Sequence, residues 1–209
     1  MHPTKYTMKK NSIFLIAGLL VAALAGWFLY NKYRVIIPPV DITRSEIGWS
    51  GNSISGGHLG KISLKKAELQ FQNGQLRGGS FEADMNSITV TDITDPEENK
   101  DLIEHFANED FFEIKNFPTA SFRITEVKPK GEQLYDVSGV MKIKDKEQPL
   151  SFETKVVPFG ESGHRATATV PVDRTRFGIE YAAKGKPGSE KDWFIFNEII
   201  LNINIVSGK

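Results

Sequence analysis

Residues 67–85 read AELQFQNGQLRGGSFEADM. Ala67, Leu69 and Phe71 alternate with Glu68, Gln70 and Gln72. This period of two places apolar side chains on one face of a strand and polar ones on the other. Asn73-Gly74 comes next. That pair favours a two-residue hairpin, because both residues tolerate a positive φ. Leu76 opens the second arm, in which Phe81, Ala83 and Met85 alternate with Ser80, Glu82 and Asp84. Gly78-Gly79 interrupts this arm as a β-bulge would. Ile88 and Val90 continue the extended pattern.

The same period recurs downstream. Phe122, Ile124 and the Glu126-Val127 pair alternate with Ser121, Arg123 and Thr125, and Pro129-Lys130-Gly131 reads as a turn. Val137, Met141 and Ile143 share a parity, as do Leu150, Phe152, Thr154 and Val156. After a turn at Gly160 to Gly163, Ala166, Ala168 and Val170 form one face, and Ile199, Leu201, Ile203 and Ile205 form the last. Short strands with frequent turns and no longer repeat indicate an antiparallel sandwich or barrel. One helix breaks the pattern. Asp95 suits an N-cap, Pro96 the first helical position and Glu98 a D-x-x-E variant of the capping box, so a helix is expected from Pro96 to about Ala107. The Phe-rich stretch after it (Phe111, Phe112, Phe117) reads with the helix as a lid across one end of a sheet.

Outward from this β-rich region the composition narrows the function. There is no cysteine, which excludes thiolate metal sites, Fe–S clusters and thiol nucleophiles. The net charge of zero is unevenly spread. Lys5, Lys9, Lys10, Lys32 and Arg34 are the charged residues of 1–34, so residues 35–209 keep 21 basic and 26 acidic residues, a net of −5. A mildly acidic domain does not suit nucleic acid, where affinity rests on neutralising phosphates. Ile13 to Tyr30 is 18 residues without a charge, about 27 Å as a helix against a hydrocarbon core of about 30 Å. Residues 13–30 therefore read as a membrane anchor, with Trp27, Tyr30 and Tyr33 as interfacial aromatics. The alternative is a cleaved signal with Ala23-Leu24-Ala25 at the cleavage site. Either reading exports the remainder. The expected organisation is an anchor or signal over 1–34, a stiff Pro38-Pro39 linker over 35–40, and one domain over 41–209.

No pair among His2, His58, His105 and His164 has metal-ligand spacing, and no nucleophile elbow, Walker A or dinucleotide fingerprint occurs. No catalytic residue, cofactor or metal is expected. His58, in Gly56-Gly57-His58-Leu59-Gly60, reads first as part of a glycine-rich turn; backbone N–H groups there can also meet a polar head group. His105 reads as a solvated helix residue and Glu109-Asp110 as a turn or cap. Arg174 and Arg176 flank Thr175 before Phe177, either as a solvated turn or as an arginine pair able to hold a phosphate. The remaining conspicuous residues are apolar, and a barrel of about eight strands either fills itself or holds one small ligand.

In order and spacing, these segments resemble the YceI-like, polyisoprenoid-binding family of bacterial envelope proteins. The likeness runs from about Val40 to Val206. Its pieces are Ser45-Glu46-Ile47-Gly48-Trp49, Gly57-His58-Leu59-Gly60, Gly78-Gly79-Ser80-Phe81, the block from His105-Phe106 through Phe117-Pro118-Thr119-Ala120-Ser121-Phe122, and Val172 to Ile179. Lys144 to Pro149 departs from the family's usual G-x-T-K-like turn. The resemblance implies an all-β, lipocalin-like antiparallel barrel with an apolar cavity for an isoprenoid or other long-chain amphiphile, and no enzymatic activity. On that basis Phe81, Met85, Phe111, Phe112, Phe122, Phe152 and Phe177 are candidate lining residues, and His58, Arg174 and Arg176 are candidate head-group contacts. Burying about twenty chain carbons at roughly 0.8 kcal/mol each contributes on the order of 10 kcal/mol before association costs. A filled barrel acting as a ligand-free envelope interaction module is the alternative.

Overall fold

The structure is a computed structural model. It describes residues 10–186 and 193–208, with side chains described from Gly18 onward. Helix α1 (Lys10–Tyr33) leads into a two-residue strand, β1 (Val35–Ile36). Eight longer strands follow: β2 (Glu46–Ser53), β3 (Gly56–Gln72), β4 (Gln75–Val90), β5 (Thr119–Pro129), β6 (Leu134–Ile143), β7 (Lys146–Phe159), β8 (Gly163–Asp173) and β9 (Ile195–Ser207). Helix α2 (Pro96–Ala107) lies between β4 and β5, and a 3-10 turn (Arg174–Phe177) follows β8. From β2 onward each strand pairs antiparallel with the next, and β9 pairs back with β2. The eight strands thus form a closed up-and-down barrel, which leaves no unpaired edge in the ring.

The deciding hairpin forms as its sequence requires. Asn73 (φ 53°) and Gly74 (φ 72°) both take the left-handed conformation. The bulge sits one residue before the glycine pair. Gln70 faces Gly78 while Phe71 faces Leu76, so Arg77 is the extra residue. Gly79 is needed for another reason: a Cβ there would lie 2.5 Å from the Glu68 carbonyl oxygen. The Lys144-Asp145 turn, where the family pattern was missing, is a tight two-residue link, with Ile143 paired to Lys146 and Lys144 at φ 56°.

The two ends of the barrel differ. One carries the β2–β3 hairpin, α2, the β6–β7 turn and the connection from β8 to β9. At that end Asp95 Oδ1 accepts the N–H groups of Glu97 and Glu98, at 2.9 and 3.0 Å, and starts α2 where expected. Phe106 of α2 is buried and meets Trp49 edge-on, with ring centroids 5.3 Å apart, so the helix does lie across the barrel end. The opposite end holds the Asn73-Gly74 hairpin and the β5–β6 and β7–β8 turns. There Phe71 and His164 stack with centroids 4.0 Å apart.

The N-terminal segment reaches the barrel at this second end. Val35 and Ile36 pair with Gln72 and Phe71, and Gln72 Nε2 donates to the Tyr33 carbonyl at 2.9 Å. Pro39 bridges Glu68 and Val40 bridges Ser207. Residues 35–40, the stiff Pro38-Pro39 linker, are strapped along the sheet. Their backbone groups find partners on β3 and β9. Lys5 and Lys9, and the side chains of Lys10 to Ala17, lie outside the described residues. From Gly18 to Tyr33 the helix leaves its large apolar residues, Leu19 through Tyr33, exposed to solvent. Among the described residues no helix is long and apolar enough to cross a membrane.

Candidate functional site

Above the floor of the barrel the inward side chains do not fill the interior. They leave a cavity of about 440 Å³, within the size range of small-molecule sites. Phe81, Phe152, Ala168 and Leu201 point inward yet remain only partly buried, because they face this space. The floor is formed by Leu69, Leu76, Val137, Ala166 and Ile205, above the Phe71–His164 stack. From Ile205 at the floor to Ile195 near the other end, β9 advances ten residues. At about 3.3 Å per residue and a strand tilt near 40°, the cavity is roughly 25 Å deep. Its opening is flanked by Asn52, Ser55, His58, Tyr181 and Trp193, all exposed and all at the α2 end.

Glycines allow close packing in two places. A Cβ on Gly139 would lie 2.4 Å from Phe122 Cζ and 2.5 Å from the Arg123 carbonyl oxygen, so the Phe122 ring occupies the space this residue leaves. A Cβ on Gly60 would fall 1.7 Å from the Thr89 carbonyl oxygen, which also accepts the Trp49 indole N–H at 3.1 Å.

Six of the seven apolar candidates line the cavity: Phe81, Met85, Phe111, Phe112, Phe122 and Phe152. Phe177 does not. It is buried outside the lining, at the end of the 3-10 turn that follows β8 and on the opposite parity from Ala166, Ala168 and Val170. Of the polar candidates, His58 lies at the mouth, where its Nδ1 pairs with Asp92 Oδ2 at 3.0 Å. Burial works to raise the Asp92 carboxyl, but the Leu59 N–H and His58 outweigh it and hold the group below its ordinary value. Arg176 is exposed and donates to Gln148 Oε1 at 3.0 Å, away from the lining.

Arg174 lines the cavity and is 2% exposed. Its guanidinium donates to the carbonyls of Ile179 (2.9 Å), Phe196 and Ile195 (3.2 Å each). Burial pulls its pKa below the usual value, an effect the adjacent Asp173 carboxylate partly opposes. His105, expected to be a solvated helix residue, is half-buried in the lining, edge-on to Phe111 and Tyr181. Its Nε2 lies 3.3 Å from Asp110 Oδ2. Among the described residues no three His, Asp or Glu side chains cluster as a metal site would require.

A family model described as the YceI-like domain matches residues 39–207. The chain belongs to the YceI-like family. UPF0312 proteins of Pseudomonas putida strains W619 and GB-1 are each 33% identical over 81 residues, covering 36% of this chain and 42% of theirs. The chain thus matches less than half the length of these curated relatives. Among solved structures, Burkholderia cenocepacia BcnA superposes with a TM-score of 0.67 at 19% identity, covering 80% of this chain and 99% of BcnA. A polyisoprenoid binding domain from Saccharophagus degradans gives 0.60 at 11% identity, covering 84% and 100%. The Campylobacter jejuni YCEI protein gives 0.55 at 14%, covering 71% and 84%. At such identities the likeness speaks for the fold alone.

In this YceI-like domain, sequence reasoning missed Asn52, Leu102, Tyr181 and Ile195 as part of the cavity wall. Parity along β9 would have found Ile195, which shares the inward register of Ile199 and Leu201. Tyr181 lies in a connection without regular period and carried no such signal.

Proposed function

We propose that this YceI-like domain binds one long apolar chain, an isoprenoid or another single-chain lipid, without chemical change to it. The cavity carries this reading. It is deep, lined by Phe, Leu, Ile and Val along most of its length, and open at one end. Burial of the guest supplies the affinity, at roughly 0.8 kcal/mol per methylene before the costs of association. The similar Saccharophagus domain, described as polyisoprenoid-binding, supports the same ligand class.

The proposed location is the bacterial cell envelope, with the barrel on the outer side of the membrane that α1 engages, or released there if α1 is cleaved. Support comes from the uncharged run 13–30 and from the apolar surface of α1, which the barrel leaves uncovered. The test is native mass spectrometry and organic extraction of protein purified from its own host. One amphiphile per chain is expected. Protein that is consistently empty, and that binds no added fatty acid or polyprenol, overturns the reading.

A further inference from the structure

We propose that the cavity selects an amphiphile with an anionic head, a carboxylate or phosphate, seated at Arg174 near the mouth. This rests on the cavity being a lipid site and goes on to name the head group. Polarity along the lining is graded. The floor presents Leu69, Leu76, Ala166, Ile205 and a Thr154 whose hydroxyl is already donated to the Thr167 carbonyl, whereas the mouth half presents Arg174, His105, Tyr181 and Asn52. A guest therefore enters tail first and leaves its head among the latter.

Arg174 gives that head a sign. It is almost wholly buried, and among the described residues no carboxylate forms an ion pair with it. Asp173, its neighbour, is turned to the Thr175 N–H and hydroxyl at 2.9 and 2.6 Å, closing the 3-10 turn. The three carbonyls on the guanidinium are neutral and use three of its five N–H groups. A desolvated cation without a counter-charge is costly. An acidic head supplies the charge and accepts the remaining N–H groups, in the paired geometry that carboxylates and phosphates share.

The three carbonyls also tie Arg174 to Ile179, Ile195 and Phe196, so the experiment has to separate ligand recognition from a loop-holding role. Delipidated full-length protein is titrated at pH 7.5 with hexadecanoic acid, hexadecyl phosphate and hexadecanol, which share one tail. Both anions are expected to bind about tenfold tighter than the alcohol, as one charge-assisted contact gives. In Arg174→Gln the tenfold gap between the anions and the alcohol is expected to close. A preference for only one anion assigns the head class to carboxylate or to phosphate. Equal binding of acid, phosphate and alcohol by the unaltered protein overturns the proposal without recourse to any variant. So does an equal loss of all three ligands in Arg174→Gln. Binding of none of the three to the unaltered protein instead overturns the lipid-site reading beneath it.

Discussion

The rings of Phe122 on β5 and Phe152 on β7 lie against each other, centroids 5.3 Å apart, and Gly139 of β6 falls between their register partners Met141 and Val137. Because Gly139 has no side chain, Phe122 sinks toward the wall and the middle of the barrel stays open. Phe122→Trp or Phe152→Trp should fill that space. Retained lipid, measured by extraction, should fall sharply while the β-sheet CD signal stays. Phe122→Ala removes a buried ring and should cost about 3 kcal/mol in urea unfolding.

Gly60 should tolerate no side chain. The Thr89 carbonyl and the Trp49 indole fill the position of its absent Cβ. Gly60→Ala should destabilise the protein by about 2 kcal/mol through overpacking. Trp49→Phe, which gives up only the indole hydrogen bond, should cost about 1 kcal/mol. Thermal melts of the two variants give the comparison.

The helix across the mouth depends on its cap. Asp95→Ala leaves the Glu97 and Glu98 N–H groups without their acceptor and should weaken α2 by about 1 kcal/mol. Hydrogen exchange should quicken over residues 96–107 while β6 and β7 keep their protection.

Acidification should loosen the floor. His164 is stacked on Phe71, its Nδ1 is buried without a partner, and burial lowers its pKa. Below the ordinary histidine value of about 6.5 the unfolded chain takes up a proton that the folded one refuses, so stability falls as pH drops through that region. Asp41 acts in a different window. Thr43 and Arg44 hold its pKa at about 2, so its contribution, present above the ordinary carboxylate value, is lost only as pH falls below that. The urea midpoint should therefore drop between pH 7.5 and 5.5, and drop less in His164→Gln. Equal drops in the two proteins would remove His164 from the account.

Much of this was legible in local sequence. Asn73-Gly74 and Asp95-Pro96 each fix a backbone conformation within four residues, and strand parity identified which side chains turn inward. Three features were not legible. Closure depends on Glu46 to Trp49 meeting Leu201 to Asn204, residues far apart in the chain that no local rule pairs. Parity told that Phe81 and Phe152 point inward, but whether they meet the opposite wall depends on the barrel's diameter. Phe177 lies in the 3-10 turn beyond the last regular residue of β8, where strand parity no longer tells which way a side chain turns.

The strap of residues 35–40 joins the barrel at its floor, whereas the mouth lies at the other end. If α1 is held in a bilayer, the opening faces away from it. The chain has no cysteine, so single-cysteine labelling is unambiguous. A fluorophore at Gln133, beside the floor, should be quenched by a lipid-phase nitroxide more than one at Ile54, beside the mouth. The reverse order would place the mouth on the membrane.

The most direct test of the hollow barrel uses delipidated protein with methyl-labelled Leu, Ile and Val and a stearate carrying a nitroxide near its methyl end. The account predicts that the methyl signals of Leu76 and Ile205 broaden strongly while that of Ile54 is spared. Broadening confined to the rim or to the outer surface, with the floor signals untouched, would contradict it.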